Sequence, residues 1–265
     1  SIRLINFETS TPSFKNLPVV MEAMALTLHN LAKGNDGNLY MTTYPGGPKG
    51  ARYNPKTDSF ISYSQGQAEG IIAGNGNDLY FGMYPGAVIQ KMDTETMAIT
   101  TMFNLKDTYE QDRPYIMKFE DNKLLIGTIP DYAKLGGTLT IYDTITGERE
   151  TYRNVVQDQS IVGLTSKDGK IYGSTTIRGG LDIAPTATEA KIFVWDMASK
   201  EKVSEISLEI PGLKSPIIIS GLTFGEDGLL WGAVEGMIFA MDPVSLKVVK
   251  YKNIYPEIVG RGMWR

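Results

Sequence analysis

The strongest constraint on the fold of this chain is a unit that occurs five times along its 265 residues. Each unit opens with a short apolar segment, a tight polar turn and a second apolar or aromatic segment. The five turns are Asn35-Asp36-Gly37-Asn38, Asn75-Gly76-Asn77-Asp78, Glu120-Asp121-Asn122-Lys123, Lys167-Asp168-Gly169-Lys170 and Glu226-Asp227-Gly228-Leu229. Because Asn-Gly and Asp-Gly supply the positive φ angles of a two-residue hairpin turn, these segments predict β-hairpins.

A second hairpin follows in every unit. Its third strand ends in an Asn or Asp whose side-chain oxygen can accept a hydrogen bond from the backbone two residues further on. These residues are Asn54, Asp93, Asp143, Asp196 and Asp242. A more polar fourth strand closes the unit, as in 148–155 and 247–253. Four strands at a period of roughly 40 to 55 residues are typical of a propeller blade.

The two ends of the chain match parts of a further blade. Residues 2–7 and 13–19 resemble third and fourth strands, and residues 259–264 resemble an innermost strand. A closed ring would join them and leave no open sheet edge. The sequence therefore predicts an all-β, single-domain β-propeller over 1–265, and no segment shows a competing helical periodicity. We expect six blades of four antiparallel strands with a composite N- and C-terminal closing blade. Since the second strand of that blade is missing, the alternative is a fragment of a seven-bladed propeller.

Composition excludes several classes of function. The net charge of −4 argues against a nucleic-acid surface, which needs clustered Lys and Arg. No apolar run approaches the roughly 20 residues that span a bilayer. The absence of cysteine excludes thiolate catalysis and Cys-ligated zinc, and the single histidine, His29, excludes a multi-histidine metal site. We expect a bacterial, secreted protein in an extracellular or periplasmic location, with the cytoplasm as the alternative.

One face of the predicted propeller carries the residues that vary between units. The starts of the innermost strands and the loops between second and third strands share this face, which we call the channel mouth. Polar residues that differ between otherwise regular repeats indicate a functional surface. The innermost strands contribute His29, Glu69, Arg113, Tyr115, Gln159, Ser160, Ser220 and Arg261, and the loops contribute Tyr44, Tyr84, Asp131, Tyr132, Arg178 and Glu235.

Three of these residues are candidate catalytic groups. His29 has the chemistry of a general acid or base near neutral pH, Glu69 could orient it, and Arg113 could stabilise a developing negative charge. The alternative for His29 is a channel-lining histidine that is hydrogen-bonded to a neighbouring carboxylate.

The remaining candidates are ligand-binding residues. Tyr44 and Tyr84 follow their strands directly and could stack on a sugar ring, with packing against the adjacent loop as the alternative. Arginines can bind carboxylates or sulfates, although each could instead pair with an acidic neighbour. The long insertion at 176–190 indicates a binding loop or an interface. The predicted ligand-binding set is Tyr44, Tyr84, Tyr115, Tyr132, Arg178, Glu235 and Arg261.

The segment Leu28-His29-Asn30-Leu31-Ala32, followed by Gly34-Asn35-Asp36-Gly37-Asn38-Leu39-Tyr40, resembles the repeat of streptogramin lyase and of related propellers that include gluconolactonase-like enzymes. Residues 166–173 show the same pattern. The resemblance implies a catalytic histidine at the start of an innermost strand, which His29 matches. It also implies a divalent metal in the channel, toward which Glu69 and Asn30 could contribute.

Three functions are compatible with this pattern. The first is binding of a small molecule or glycan, such as a carbohydrate or anionic polysaccharide, at the channel mouth. The second is a lyase that acts by β-elimination on a polysaccharide or ester. The third is a scaffold for a protein partner.

Overall fold

The computed structural model describes residues 2–6, 13–17, 27–44 and 50–258. Strands β1 (Ile2–Asn6) and β2 (Ser13–Leu17) form an antiparallel pair. Five four-stranded antiparallel sheets follow in the described part of the chain, each with its strands in sequence order, and we call them blades 1 to 5.

The strands of the blades have the following bounds. Blade 1 contains β3 (Thr27–Lys33), β4 (Leu39–Tyr44), β5 (Gly50–Asn54) and β6 (Ser59–Tyr63). Blade 2 contains β7 (Ala68–Ala73), β8 (Asp78–Met83), β9 (Val88–Asp93) and β10 (Ile99–Asn104). Blade 3 contains β11 (Gln111–Glu120), β12 (Lys123–Pro130), β13 (Thr138–Asp143) and β14 (Arg149–Arg153). Blade 4 contains β15 (Ser160–Lys167), β16 (Lys170–Thr176), β17 (Lys191–Asp196) and β18 (Glu201–Ser207). Blade 5 contains β19 (Ile219–Phe224), β20 (Leu230–Val234), β21 (Met237–Met241) and β22 (Val248–Asn253).

Local turn chemistry forms both hairpins of each blade, as predicted. All five first turns connect the first and second strands. All five Asx residues accept a hydrogen bond from the backbone two residues on: in blade 3 the amide of Ile145 donates to Asp143 Oδ1 at 2.9 Å. The backbone amides and Lys123 hold the pKa of Asp143 down at about 2. These residues stabilise turns on the face opposite the channel mouth.

The hydrophobic core lies between consecutive blades. One cluster packs Tyr40 and Tyr63 of blade 1 against Phe81 of blade 2, and comparable clusters join blades 2 and 3, 3 and 4, and 4 and 5. The sheets approach closely at Gly82, where an added Cβ would lie 2.7 Å from Met117 Sδ of the next blade. Sheets that pack face to face in chain order are the arrangement of a propeller.

The first strand of each blade is innermost. Strands β3, β7, β11, β15 and β19 contact one another in that order, and residues from all five line one cavity. The prediction of an all-β propeller with four-stranded blades is therefore confirmed.

Lys15 Nζ of β2 lies 2.9 Å from Asp58 Oδ2 in the β5–β6 turn, so the two-stranded sheet contacts blade 1. The predicted innermost strand at 259–264 lies outside the described residues. A single helical turn, α1 (Lys106–Tyr109), connects β10 and β11. In the described residues, no helix has the length and apolarity to cross a membrane.

Candidate functional site at the channel mouth

The innermost strands share an irregularity at the channel mouth. In every blade the pairing of the first strand with the second shifts register near the start of the first strand. Such shifts are typical of β-bulges, which re-aim side chains and are common beside functional sites. The residues at the shifts are His29 in blade 1, Glu69 in blade 2, Asp112, Pro114 and Tyr115 in blade 3, Val162 in blade 4, and Gly221 and Leu222 in blade 5.

Two of the predicted catalytic residues, His29 and Arg113, contact the buried carboxylate of the third, Glu69. Glu69 is 4% exposed, and its Oε1 accepts hydrogen bonds from Arg113 at 3.0 Å and from the Gln67 amide at 2.6 Å. His29 Nε2 lies 3.5 Å from the other oxygen, Oε2, without the geometry of a hydrogen bond. A buried carboxylate needs such partners, because desolvation without them is costly. Residues from three blades thus form one polar cluster.

Aromatic rings surround this cluster. The Arg113 guanidinium carbon lies 3.9 Å from the centroid of the Tyr84 ring, a cation–π contact. The Tyr84 hydroxyl is 3.4 Å from that of Tyr132, and this contact together with partial burial raises the pKa of Tyr84. Tyr44 lies 5.5 Å from His29 between ring centroids. Since Arg113 covers one face of Tyr84, the better-exposed rings are Tyr44 and Tyr132, at 47% and 46%.

Two cavities meet at Glu69 and Tyr115, which line both. The first, of about 350 Å³, follows the channel and is walled mainly by apolar side chains and glycines, among them Ile71, Met117 and Val162. The second, of about 220 Å³, lies at the mouth and is lined by Asp112, Arg113, Tyr132 and the segment 179–181. We call them the channel cavity and the mouth cavity. Of these two cavities, the channel cavity has a volume within the range of ligand pockets.

The insertion predicted to be a binding loop forms one wall of the mouth cavity. The amide of Gly180 donates to Lys134 O at 3.0 Å, and the amide of Ala133 donates to Leu181 O at 2.7 Å. A Cβ on Gly180 would lie 2.0 Å from Asp131 O, so the two loops meet backbone to backbone. Arg178, at the start of this loop, is exposed. Main-chain hydrogen bonds fix the position of the insertion, so this wall of the mouth cavity is a defined part of the folded structure.

Other predicted residues have different surroundings. Gln159 is buried and bonds Glu189 O and the Thr175 hydroxyl, and Ser160 donates to Arg178 O, so both hold the loop in place. Asp131 pairs with Lys106 at 3.1 Å, and the Tyr132 amide and Lys106 lower its pKa. Glu235 is 4% exposed in the β20–β21 turn and is not among the residues that line the two cavities.

Arg261 lies outside the described residues.

The donor set does not fit a divalent metal. Within the described ranges, no three His, Asp or Glu side chains come together as ligands. Glu69 already accepts from Arg113 and Gln67, and the Asn30 amide donates to Ala68 O at 2.7 Å. A cationic guanidinium on the only channel carboxylate among these residues opposes a second cation there.

Some residues of the site were not predicted from the sequence. Gln67, which hydrogen-bonds Glu69 but lines neither cavity, lies outside the aligned positions, whereas Leu181, which lines the mouth cavity, belongs to the insertion predicted at 176–190. Val162 and Gly221 occupy the register shifts of blades 4 and 5 but carry no polar group. Both lie one position closer to the aligned aromatics of their units, Tyr172 and Trp231, than His29 and Glu69 lie to theirs, and this offset is the signal that could have found them.

Comparison with known proteins identifies structures of similar fold but no matching family. No family model matches the sequence, and no curated protein matches it. The fold is similar to the extracellular domain of BT4673 from B. thetaiotaomicron, a proposed one component system, with a TM-score of 0.63 and 13% identity over 91% of this chain. It is also similar to the extracellular domain of BT3049 from the same organism, a proposed hybrid two component system, with a TM-score of 0.58 and 12% identity over 85% of this chain.

A third similar structure is a chain of the mitotic checkpoint complex, with a TM-score of 0.61 and 12% identity over 96% of this chain and 75% of that one. The chain spans only 29% and 30% of the two bacterial chains. At these identities the likeness establishes the propeller fold and leaves the activity to be argued from the site.

Proposed function

We propose that this chain is a ligand-binding propeller that recognises a carbohydrate at the channel mouth. The observation that carries the proposal is the buried Glu69 carboxylate, fixed by Arg113 and Gln67 where the two cavities meet. A few fixed polar groups in a concave site, with aromatic rings at its edge, are what a sugar requires. Tyr44 and Tyr132 supply those rings.

The charge of the site favours a neutral sugar over an anionic polysaccharide. The Arg113 guanidinium is shared between Glu69 and the Tyr84 ring, so its charge is already compensated. Among the described residues of the site, the exposed Arg178 is a cation that could attract an acidic sugar. A neutral saccharide can use the same carboxylate and guanidinium as hydrogen-bond acceptor and donor.

An extracellular or periplasmic location is part of the same proposal. It is supported by the two similar structures that are extracellular domains of bacterial systems. A single domain over 1–265 is likewise proposed.

The test is a glycan array followed by titration calorimetry of each glycan that binds. We expect Tyr132→Ala and Tyr44→Ala to weaken binding about tenfold, the equivalent of one aromatic contact. The matched control is Tyr251→Ala, because Tyr251 is 49% exposed on β22, the outermost strand of blade 5. The proposal is refuted when no glycan binds above background, or when all three variants bind equally well.

A second candidate function is β-elimination, favoured by the contact between His29 and Glu69. In this hypothesis His29 removes the proton from the carbon next to a uronic acid carboxylate. The electrons form the new C–C double bond as the C–O bond of the leaving group breaks, and Arg113 stabilises the intervening enolate charge. A panel of uronides should then yield an unsaturated product that absorbs in the ultraviolet, and His29→Ala should abolish it. Binding that survives His29→Ala, with no such absorbance from the wild type, contradicts this function.

A further inference from the structure

The residues at the register shifts divide the channel mouth into two chemically different halves. Blades 1 to 3 place His29, Glu69 and Tyr115 there, whereas blades 4 and 5 place Val162 and Gly221. Each of the five blades has a register shift at this end of its first strand, and blade 3 has two, so the chemical difference between the blades lies in the side chains. A ligand centred on the axis would meet polar groups on one side and an apolar surface on the other.

The two cavities differ in chemistry as well, but along the channel axis, because apolar residues of blades 2 and 3 also line the channel cavity. The mouth cavity offers Asp112, Arg113 and Tyr132. The channel cavity is walled mainly by Ile71, Ile116, Met117, Val162 and Ala233, together with glycines. Its polar lining residues are Asn30, Ser220, Glu69 and Tyr115, of which the last two lie at the boundary with the mouth cavity. At about 350 Å³ it exceeds the roughly 150 Å³ that accommodates benzene in an engineered protein cavity.

We infer that the ligand is amphipathic: a saccharide whose apolar substituent, of about the size of an aromatic ring, enters the channel cavity while the sugar stays at the mouth. This inference rests on the proposed function and specifies its ligand class. Burying an aryl group of this size contributes about tenfold to a hundredfold in affinity.

Three kinds of probe separate the two parts of the inference. Methyl glycosides of common hexoses test sugar recognition, phenol tests the channel cavity alone, and phenyl glycosides of the same hexoses test their combination. We expect the wild-type ratio of the methyl to the phenyl dissociation constant to be about 10 to 100.

Two variants fill the channel cavity from one side. Ala233 and Ser220 are paired across β19 and β20 and both line the cavity, so Ala233→Leu and Ser220→Leu each project a larger side chain into it. Each should lower the ratio to about 1 and abolish phenol binding. The matched control is Ala198→Leu, at an exposed turn on the opposite face, which should keep the wild-type ratio. Thermal melting of each variant checks that it folds. If one of the two filled variants does not fold, the other still tests the inference.

The outcomes are distinct. Methyl glycosides that bind, with no gain from the phenyl group and no phenol binding, overturn the inference and leave the proposed function standing. A gain that persists in both filled variants also overturns it. A third outcome is that phenol binds to the wild type but not to Ala233→Leu, while no glycoside binds to either protein. This outcome refutes the saccharide function and supports the apolar channel cavity.

Discussion

Replacing the buried carboxylate of Glu69 by an amide tests the energetics of the polar cluster. Glu69→Gln keeps the shape of the side chain but removes the charge that Arg113 and Gln67 bind at 3.0 and 2.6 Å. Loss of one partner from a fully buried ion pair costs about 3–5 kcal/mol. The Arg113 side chain is 29% exposed and retains the Tyr84 ring, so water offsets part of that cost. Charge-assisted hydrogen bonds contribute about 1.5–3 kcal/mol.

We therefore expect Glu69→Gln to lower the free energy of unfolding by about 2 kcal/mol. The corresponding fall in Tm is about 4–8 °C for a chain of this size. Urea denaturation and thermal melting measure the two quantities.

Glu110→Gln is the matched control, because Glu110 also binds two cations, Lys134 at 2.7 Å and Arg153 at 2.9 Å, but its side chain is 44% exposed. Exposed ion pairs contribute little, since water hydrates both charges after the pair is broken. The reasoning is refuted when the two variants lose the same stability, because burial of Glu69 would then have no energetic consequence.

Two further predictions concern the core and the loop wall. Burial, with the hydrogen bond to Asp36, raises the pKa of Tyr40 to about 12 from 10.0, so the folded state favours the neutral phenol. Stability present below pH 10 should fall as the pH rises toward 12, and in urea denaturation across this range Tyr40→Phe should lose less; an equal loss in both proteins would contradict the assignment. Gly180→Ala should destabilise the chain by about 1–3 kcal/mol and weaken glycan binding, because its Cβ would meet the backbone oxygen of Asp131 at 2.0 Å. Gly66→Ala is the control, since its Cβ would meet only the terminal methyl of Met83, and equal melting temperatures of the two variants would count against a fixed wall.

Much of the fold could be predicted because its determinants are local. The Asp-Gly turn at Asp168 and the Asx turn at Asp143 specify their hairpins within four residues, and the same chemistry recurs in each unit. The helix at Lys106–Tyr109 could not be predicted, since a single turn is too short to show a helical period.

The candidate site could be predicted only in part. Aligning the units placed His29, Glu69 and Arg113 at equivalent ends of neighbouring strands, where the structure brings them together. It could not show that Arg113 covers the Tyr84 ring, because the direction of a long side chain depends on its packing. The register shifts were also hidden, since an extra residue in one strand is visible only against its partner strand.

The central claim is that the first strands of consecutive blades lie side by side around one opening. An engineered disulfide between β7 and β11 tests it directly. A Cβ on Gly70 would lie 3.6 Å from Met117 Cβ, within the separation that a disulfide requires. The chain has no cysteine of its own, so Gly70→Cys with Met117→Cys introduces the only two thiols.

Under mild oxidation the folded variant with Gly70→Cys and Met117→Cys should lose both thiols to an intramolecular disulfide. The pair Gly70→Cys with Ala198→Cys, whose second residue lies in a turn on the opposite face, should keep them. Both thiols remaining free in the folded Gly70 and Met117 double variant, while the same protein crosslinks when unfolded, would contradict the radial arrangement and the site built on it.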